Sequence, residues 1–177
     1  MRDVLAALIE ARAGRRTMYT PIDIMHERSA RRHRHDLPVV YLAEDDDDLR
    51  EALTALLTRA GLVVRAAADG AQLFDWLFRR RDRGARLPDV IVTDHRMPGY
   101  CSLDILQCLT ELQWTVPVIV LTAFGPEVRS LATAYGARTV LDKPFDPEVL
   151  CRATKSCINW DVRRLPERAT MGLRGAT

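Results

Sequence analysis

Five consecutive acids, Glu44, Asp45, Asp46, Asp47 and Asp48, sit inside the stretch YLAEDDDDLREAL that runs from Tyr41 to Leu53. Like charges side by side repel, so a partner or a structural use is required. Three more polar residues stand where short apolar runs stop: Asp94 after DVIVT, Thr122 closing PVIVLT, and Lys143 after RTVLD. A carboxylate cluster is a hard oxygen site suited to Mg2+, which uses few carboxylates and keeps several waters. A lysine point charge with a hydroxyl nearby suits a phosphoryl group. Glu44, Asp45 and Asp94 are thus candidate metal ligands, and a divalent cation would relieve part of the repulsion. Asp46, Asp47 and Asp48 read better as helix chemistry. They fall where an N-cap and first turn are expected, where side-chain oxygens accept unpaired N–H groups and negative charge meets the positive helix end.

These residues can meet only if the elements around them bring them together. VVYLA, LVVRA, DVIVT, PVIVLT and RTVLD are short runs rich in β-branched residues, and the stretches between them carry apolar residues at helical spacing. In the first of these stretches Leu49, Leu53, Leu56, Leu57 and Ala60 mark one face, with Gly61 as a stop. The second holds Leu73, Trp76 and Leu77 before the solvated run RRRDRG; Trp76 is read as helix-face packing. The third is SLDILQCLTEL. PEVRSLATAYGA and DPEVLCRATKSC follow, each with a Pro at a plausible first helical position. Five strands alternating with helices, and buried on both faces, imply a mainly parallel, doubly wound α/β sheet. In such sheets the site lies outside the carboxyl ends of the strands, which is where Glu44, Asp45, Asp94, Thr122 and Lys143 would converge.

YLAEDDDDLR, DVIVTDHRMPG, PVIVLTA and VLDKPF, in that order and spacing, resemble the receiver domain of two-component response regulators. The resemblance covers about residues 38–159. It implies a flavodoxin-like five-stranded parallel sheet of order 2-1-3-4-5 with helices on both faces. It also implies Asp94 as phosphoacceptor, Glu44 and Asp45 as the acidic pair, Thr122 as the conserved hydroxyl and Lys143 as the conserved lysine. Mg2+ would be held by Glu44, Asp45, Asp94 and the main-chain carbonyl of Arg96. KPF implies a cis peptide between Lys143 and Pro144. The phosphoryl group would come from a histidine kinase or histidine phosphotransfer protein. Its transfer would switch a surface on the fourth helix, fifth strand and fifth helix, toward a downstream protein or a second copy of the chain. Such a protein is a signalling phosphoacceptor, and the only reactions it catalyses are its own phosphorylation and dephosphorylation.

The chain departs from the family in several places. Val140 stands where an aromatic residue often swings inward on activation, which puts that form of coupling in doubt. Glu44 replaces the commoner Asp, Ser102 a usual Gly, and Cys101 a frequent Asp or Ser. Arg96 and Phe124, two residues beyond the acceptor and the hydroxyl respectively, are bulky at positions that flank the path of hydrolytic water, and predict slow self-dephosphorylation. His95 follows Asp94 directly and, by strand alternation, points away from the site. His33 and His35 lack the spacing of a metal site. Met97 and Pro98 shape the loop beside the acceptor. An aspartate-nucleophile phosphatase would want a second Asp two residues on, where this chain has Arg96.

Composition frames this reading. With 177 residues, 47% hydrophobic and 28% charged, the chain fits one soluble domain with additional ends. Residues 1–37 carry eight Arg and five acids, residues 38–159 fourteen Arg and Lys and seventeen acids, and residues 160–177 four Arg and two acids. RSARRHRHDLP closes the first segment at Leu37-Pro38. We expect a basic N-terminal extension over 1–37 with one short helix around Val4, Leu5, Leu8 and Ile9, the receiver over 38–159, and a basic tail over 160–177. That tail is too short for a helix-turn-helix, so a stand-alone receiver is expected. The basic ends lack aromatic interleaving and a recognition helix, which disfavours nucleic-acid binding; a scaffold acting unphosphorylated would not need the intact acidic and lysine set. No apolar run approaches the ~20 residues of a membrane span, and the four cysteines form no CxxC pair, so a cytoplasmic protein with reduced thiols and no membrane partner is expected.

Overall fold

A computed structural model describes residues 37–82 and 87–163. The expected helix near Val4 and the basic ends as far as residue 36 and beyond Arg163 lie outside them.

The described residues alternate between strand and helix: β1 Val39–Ala43, α1 Asp47–Arg59, β2 Val63–Ala67, α2 Gly70–Asp82, β3 Val90–Asp94, α3 Ser102–Glu111, β4 Val118–Thr122, α4 Gly125–Ala134, β5 Thr139–Asp142 and α5 Pro147–Arg163. All strands pair in parallel in the order β2-β1-β3-β4-β5. The doubly wound sheet and its order are those expected.

Side chains alternate along each strand, so one sheet serves two cores. Val40, Leu42, Val90, Val92, Ile119 and Leu121 pack with Leu53 and Leu57 of α1 and Leu150 and Cys157 of α5. Tyr41, Ala43, Ile91, Val118 and Val120 face the other way, onto Leu73, Phe74, Leu77 and Phe78 of α2, Ile105 and Leu109 of α3 and Ala132 of α4. Burial on both faces holds for β1, β3 and β4. It does not hold for β2 and β5, whose edge positions leave Val63, Arg65, Thr139 and Asp142 partly or fully open.

The helix starts follow their sequence signals. Asp46 caps α1, its Oδ1 accepting the Leu49 amide at 2.9 Å, while Asp47 and Asp48 occupy the first turn. Gly61 ends that helix region with φ of 88°, a value that favours glycine. Trp76 packs on the core as expected; its ring also carries the Arg65 guanidinium 3.7 Å from the centroid. All four cysteines are free, with Cys108 and Cys157 buried. Among the described residues no helix is long and apolar enough to cross a membrane.

Candidate functional site

The carboxyl ends of β1, β3, β4 and β5 gather Glu44, Asp45, Asp94, Thr122 and Lys143 at one edge of the sheet. Asp94 is the last residue of β3 and Thr122 the last of β4, so backbone pairing fixes both. Lys143 follows β5, and its amide donates to the Thr122 carbonyl at 2.7 Å. The peptide between Lys143 and Pro144 is cis.

Lys143 stands between two buried carboxylates. Its Nζ lies 2.5 Å from Asp94 Oδ1 and donates to Glu44 Oε2 at 2.8 Å and Oε1 at 3.1 Å. Glu44 is 1% exposed and Asp94 7%. Burial pushes the Glu44 carboxyl upward, against the opposing pull of Lys143. Burial also works against the Lys143 ammonium, but the hydrogen bonds and charges of Asp94 and Glu44 outweigh it and raise its pKa. The second Asp94 oxygen, Oδ2, accepts the Arg96 amide at 2.7 Å. Asp94 is thereby held at both oxygens.

Glu44, Asp45 and Asp94 each offer a carboxylate oxygen, and these atoms all lie within 4.8 Å of one another. Three hard oxygen donors at that separation fit a small divalent cation. The Thr122 side chain is fully buried, its Oγ1 accepting the Phe124 amide at 3.0 Å. An apolar groove of about 470 Å³, lined by Leu49, Leu53, Leu56, Pro144 and Phe145, opens beside Lys143.

His95 turns from the cluster, as alternation requires. Its Nδ1 and the Ser102 hydroxyl are 2.9 Å apart, and burial lowers its pKa, favouring the neutral ring. With the Ser102 amide donating to the His95 carbonyl, this link closes the loop between β3 and α3. Arg96 and Phe124 meet, with the Arg96 guanidinium carbon 4.7 Å from the Phe124 ring centroid.

Two features escaped the sequence reading. Arg50 reaches back from α1 to the Glu44 carbonyl at 2.9 Å and pairs with Asp47. Its signal was a lone cation at i+3 from an acid in the run. Gly70 is the other: its amide donates to the Pro98 carbonyl at 3.2 Å, and a Cβ there would fall 1.8 Å from the Tyr100 carbonyl oxygen. Nothing in the sequence marks that close approach.

Residues 40–155 match the response regulator receiver domain. The chain belongs to this family. It is 35% identical over 132 residues to the C4-dicarboxylate transport transcriptional regulatory protein DctD of Pseudomonas aeruginosa, a match covering 71% of this chain and 26% of DctD. It is 35% identical over 120 residues to the transcriptional regulatory protein FixJ of Azorhizobium caulinodans, covering 67% and 54%. These matches span only a part of each relative. Among solved structures, the Francisella response regulator 1452 receiver domain superposes with a TM-score of 0.62 at 26% identity, over 70% of this chain and 98% of that one. The chemotaxis response regulator CheY4 of Vibrio cholerae gives 0.59 at 27% identity, over 69% and 99%. The receiver fold and its two-component family are therefore established for this chain.

Proposed function

We propose that the receiver, over about residues 38–159, is the phosphoacceptor of a two-component phosphorelay and takes a phosphoryl group on Asp94. The observation that best supports this is the buried Asp94 carboxylate, held between Lys143 Nζ and the Arg96 amide beside two further acids. The donor is a phosphohistidine of a kinase or phosphotransfer protein. One Asp94 oxygen forms a bond to phosphorus as the phosphorus–nitrogen bond breaks, and the released imidazole takes up a proton. Lys143, already on Asp94, neutralises charge on the transferring oxygens. Glu44, Asp45, Asp94 and the Arg96 carbonyl are the proposed ligands of Mg2+, which would supply further charge neutralisation.

Thr122 couples the site to the surface. Turning its hydroxyl toward a phosphoryl oxygen would break its bond to the Phe124 amide and loosen the start of α4. Arg129 of α4 carries the change to β5, since it donates to the Val140 carbonyl at 3.0 Å and pairs with Asp142 at 2.5 Å. Val140 is a core residue with no ring to swing, so this route replaces aromatic coupling. Leu131 on α4 and Tyr135 at its C-cap, both exposed, offer the face α4–β5–α5 an apolar anchor for a downstream protein or a second copy. The protein is then a cytoplasmic signalling component, and neither membrane nor nucleic acid enters the reading.

Incubation of the full chain with acetyl phosphate and Mg2+, followed by intact mass, tests this. Wild type gains one phosphoryl group, and the gain disappears with a chelator. Asp94→Asn gains none; persistent labelling of that variant would overturn the assignment.

A further inference from the structure

We infer that Arg50 is a positioning residue for the acidic metal site. This rests on the reading that Glu44, Asp45 and Asp94 bind Mg2+. Arg50 Nη1 donates to the Glu44 carbonyl at 2.9 Å and approaches the Asp45 carbonyl at 3.5 Å, while Nη2 pairs with the Asp47 carboxylate. Its own amide donates to the Asp46 carbonyl at 2.8 Å. One residue of α1 thus touches three successive carbonyls of the loop that carries the acids. The guanidinium side chain is only 20% exposed, against 85% for its partner Asp47, so the contact is built into the loop rather than laid over it.

The two acids depend on that backbone differently. The Glu44 amide donates to the Ala67 carbonyl at 3.2 Å, so β2 fixes the peptide before Glu44 and Arg50 the peptide after it. Asp45 is exposed, and among the described residues nothing hydrogen-bonds its carboxylate. Its aim toward Asp94 is set by the main chain that Arg50 holds. A fork of planar donors can grip two carbonyls and a carboxylate at once; an ammonium cannot reproduce that geometry.

Two effects of Arg50 on a metal oppose each other, and their difference makes the inference testable. As a cation near the acids it repels Mg2+, so a bystander charge, once removed, would leave binding tighter. As the clamp on the loop it keeps two ligands in place, and its removal loosens binding; groups that orient metal ligands are worth about 10–100-fold in affinity. The clamp predicts the larger effect.

The test is calorimetric titration of Mg2+ into the full chain without phosphodonor, for wild type, Arg50→Gln, Arg50→Lys, Asp45→Asn and Asp48→Asn. Arg50→Gln and Arg50→Lys should both weaken Mg2+ by about tenfold, with lysine giving no rescue, and Asp48→Asn should bind nearly as wild type. Asp47→Ala removes only the outer anchor of the guanidinium and should weaken Mg2+ severalfold; it keeps the inference testable if the Arg50 variants fail to fold. Unchanged or tighter binding in Arg50→Gln or, failing that, in Asp47→Ala, or full rescue by lysine, overturns the clamp when Asp45→Asn still weakens binding. If Asp45→Asn binds as wild type, the metal reading itself fails.

Discussion

Arg96 and Phe124 lie 28 residues apart in the sequence, yet in the fold their side chains stack, with 4.7 Å from guanidinium carbon to ring centroid. Sequence reading expected each to flank the approach of water to a phosphorylated Asp94. Their contact lets the two side chains act as a unit, and we propose that together they cover that approach. An attacking water must align opposite the leaving Asp94 oxygen, so a cover slows hydrolysis without hindering a donor histidine that brings its own alignment. Each tenfold in rate is about 1.4 kcal/mol, so even partial screening is measurable. After loading and removal of phosphodonor, an Arg96→Asn, Phe124→Ala double variant should lose its phosphoryl group about tenfold faster than wild type. Equal decay would mean that the pair does not gate the water. At this scale the convergence of the candidate residues was legible: Glu44, Asp45, Asp94, Thr122 and Lys143 stand where apolar runs stop, and strand ends of a parallel sheet share one edge. Arg50 was not, because a cation three residues from an acid reads equally well as an ordinary helix ion pair.

The loop from β3 to α3 is shaped by an element it does not belong to. Gly70 opens α2 with its amide on the Pro98 carbonyl, Gly99 has φ of 85°, and the Tyr100 ring stacks on Phe74 at 4.5 Å. The helix start therefore presses directly on the loop that follows Asp94. A methyl group at Gly70 would meet the Tyr100 carbonyl oxygen at 1.8 Å, so backbone must move. Gly70→Ala should cost roughly 1–3 kcal/mol in urea unfolding, the range for forced overpacking; a variant as stable as wild type would show that the loop is free of α2. The elements themselves were readable from their periods, with starts displaced by one residue: β2 begins at Val63 rather than Leu62, and α4 at Gly125 rather than Pro126. Contacts such as that of Gly70 were not readable, since a glycine demanded by a neighbour looks the same in sequence as one demanded by a turn.

Across the described residues one sheet divides two cores and gathers the candidate site at a single edge, so a change at Asp94 would reach a distant face through the elements that start there. The Thr122–Phe124 bond and the ties of Arg129 to β5 are the path proposed for it. Phosphorylation should raise hydrogen exchange at the start of α4 and alter it along β5, leaving α1 and α2 nearly unchanged. A uniform change over α1 to α5 would contradict the route. The central claim is that the acceptor is Asp94 and no other acid of the cluster. Borohydride cuts an acyl phosphate reductively and leaves homoserine where the phosphorylated Asp stood, so peptide mass mapping of loaded and reduced protein reads the site directly. The account predicts homoserine at position 94 alone; reduction at Asp45, or none anywhere after loading with Mg2+, would contradict it.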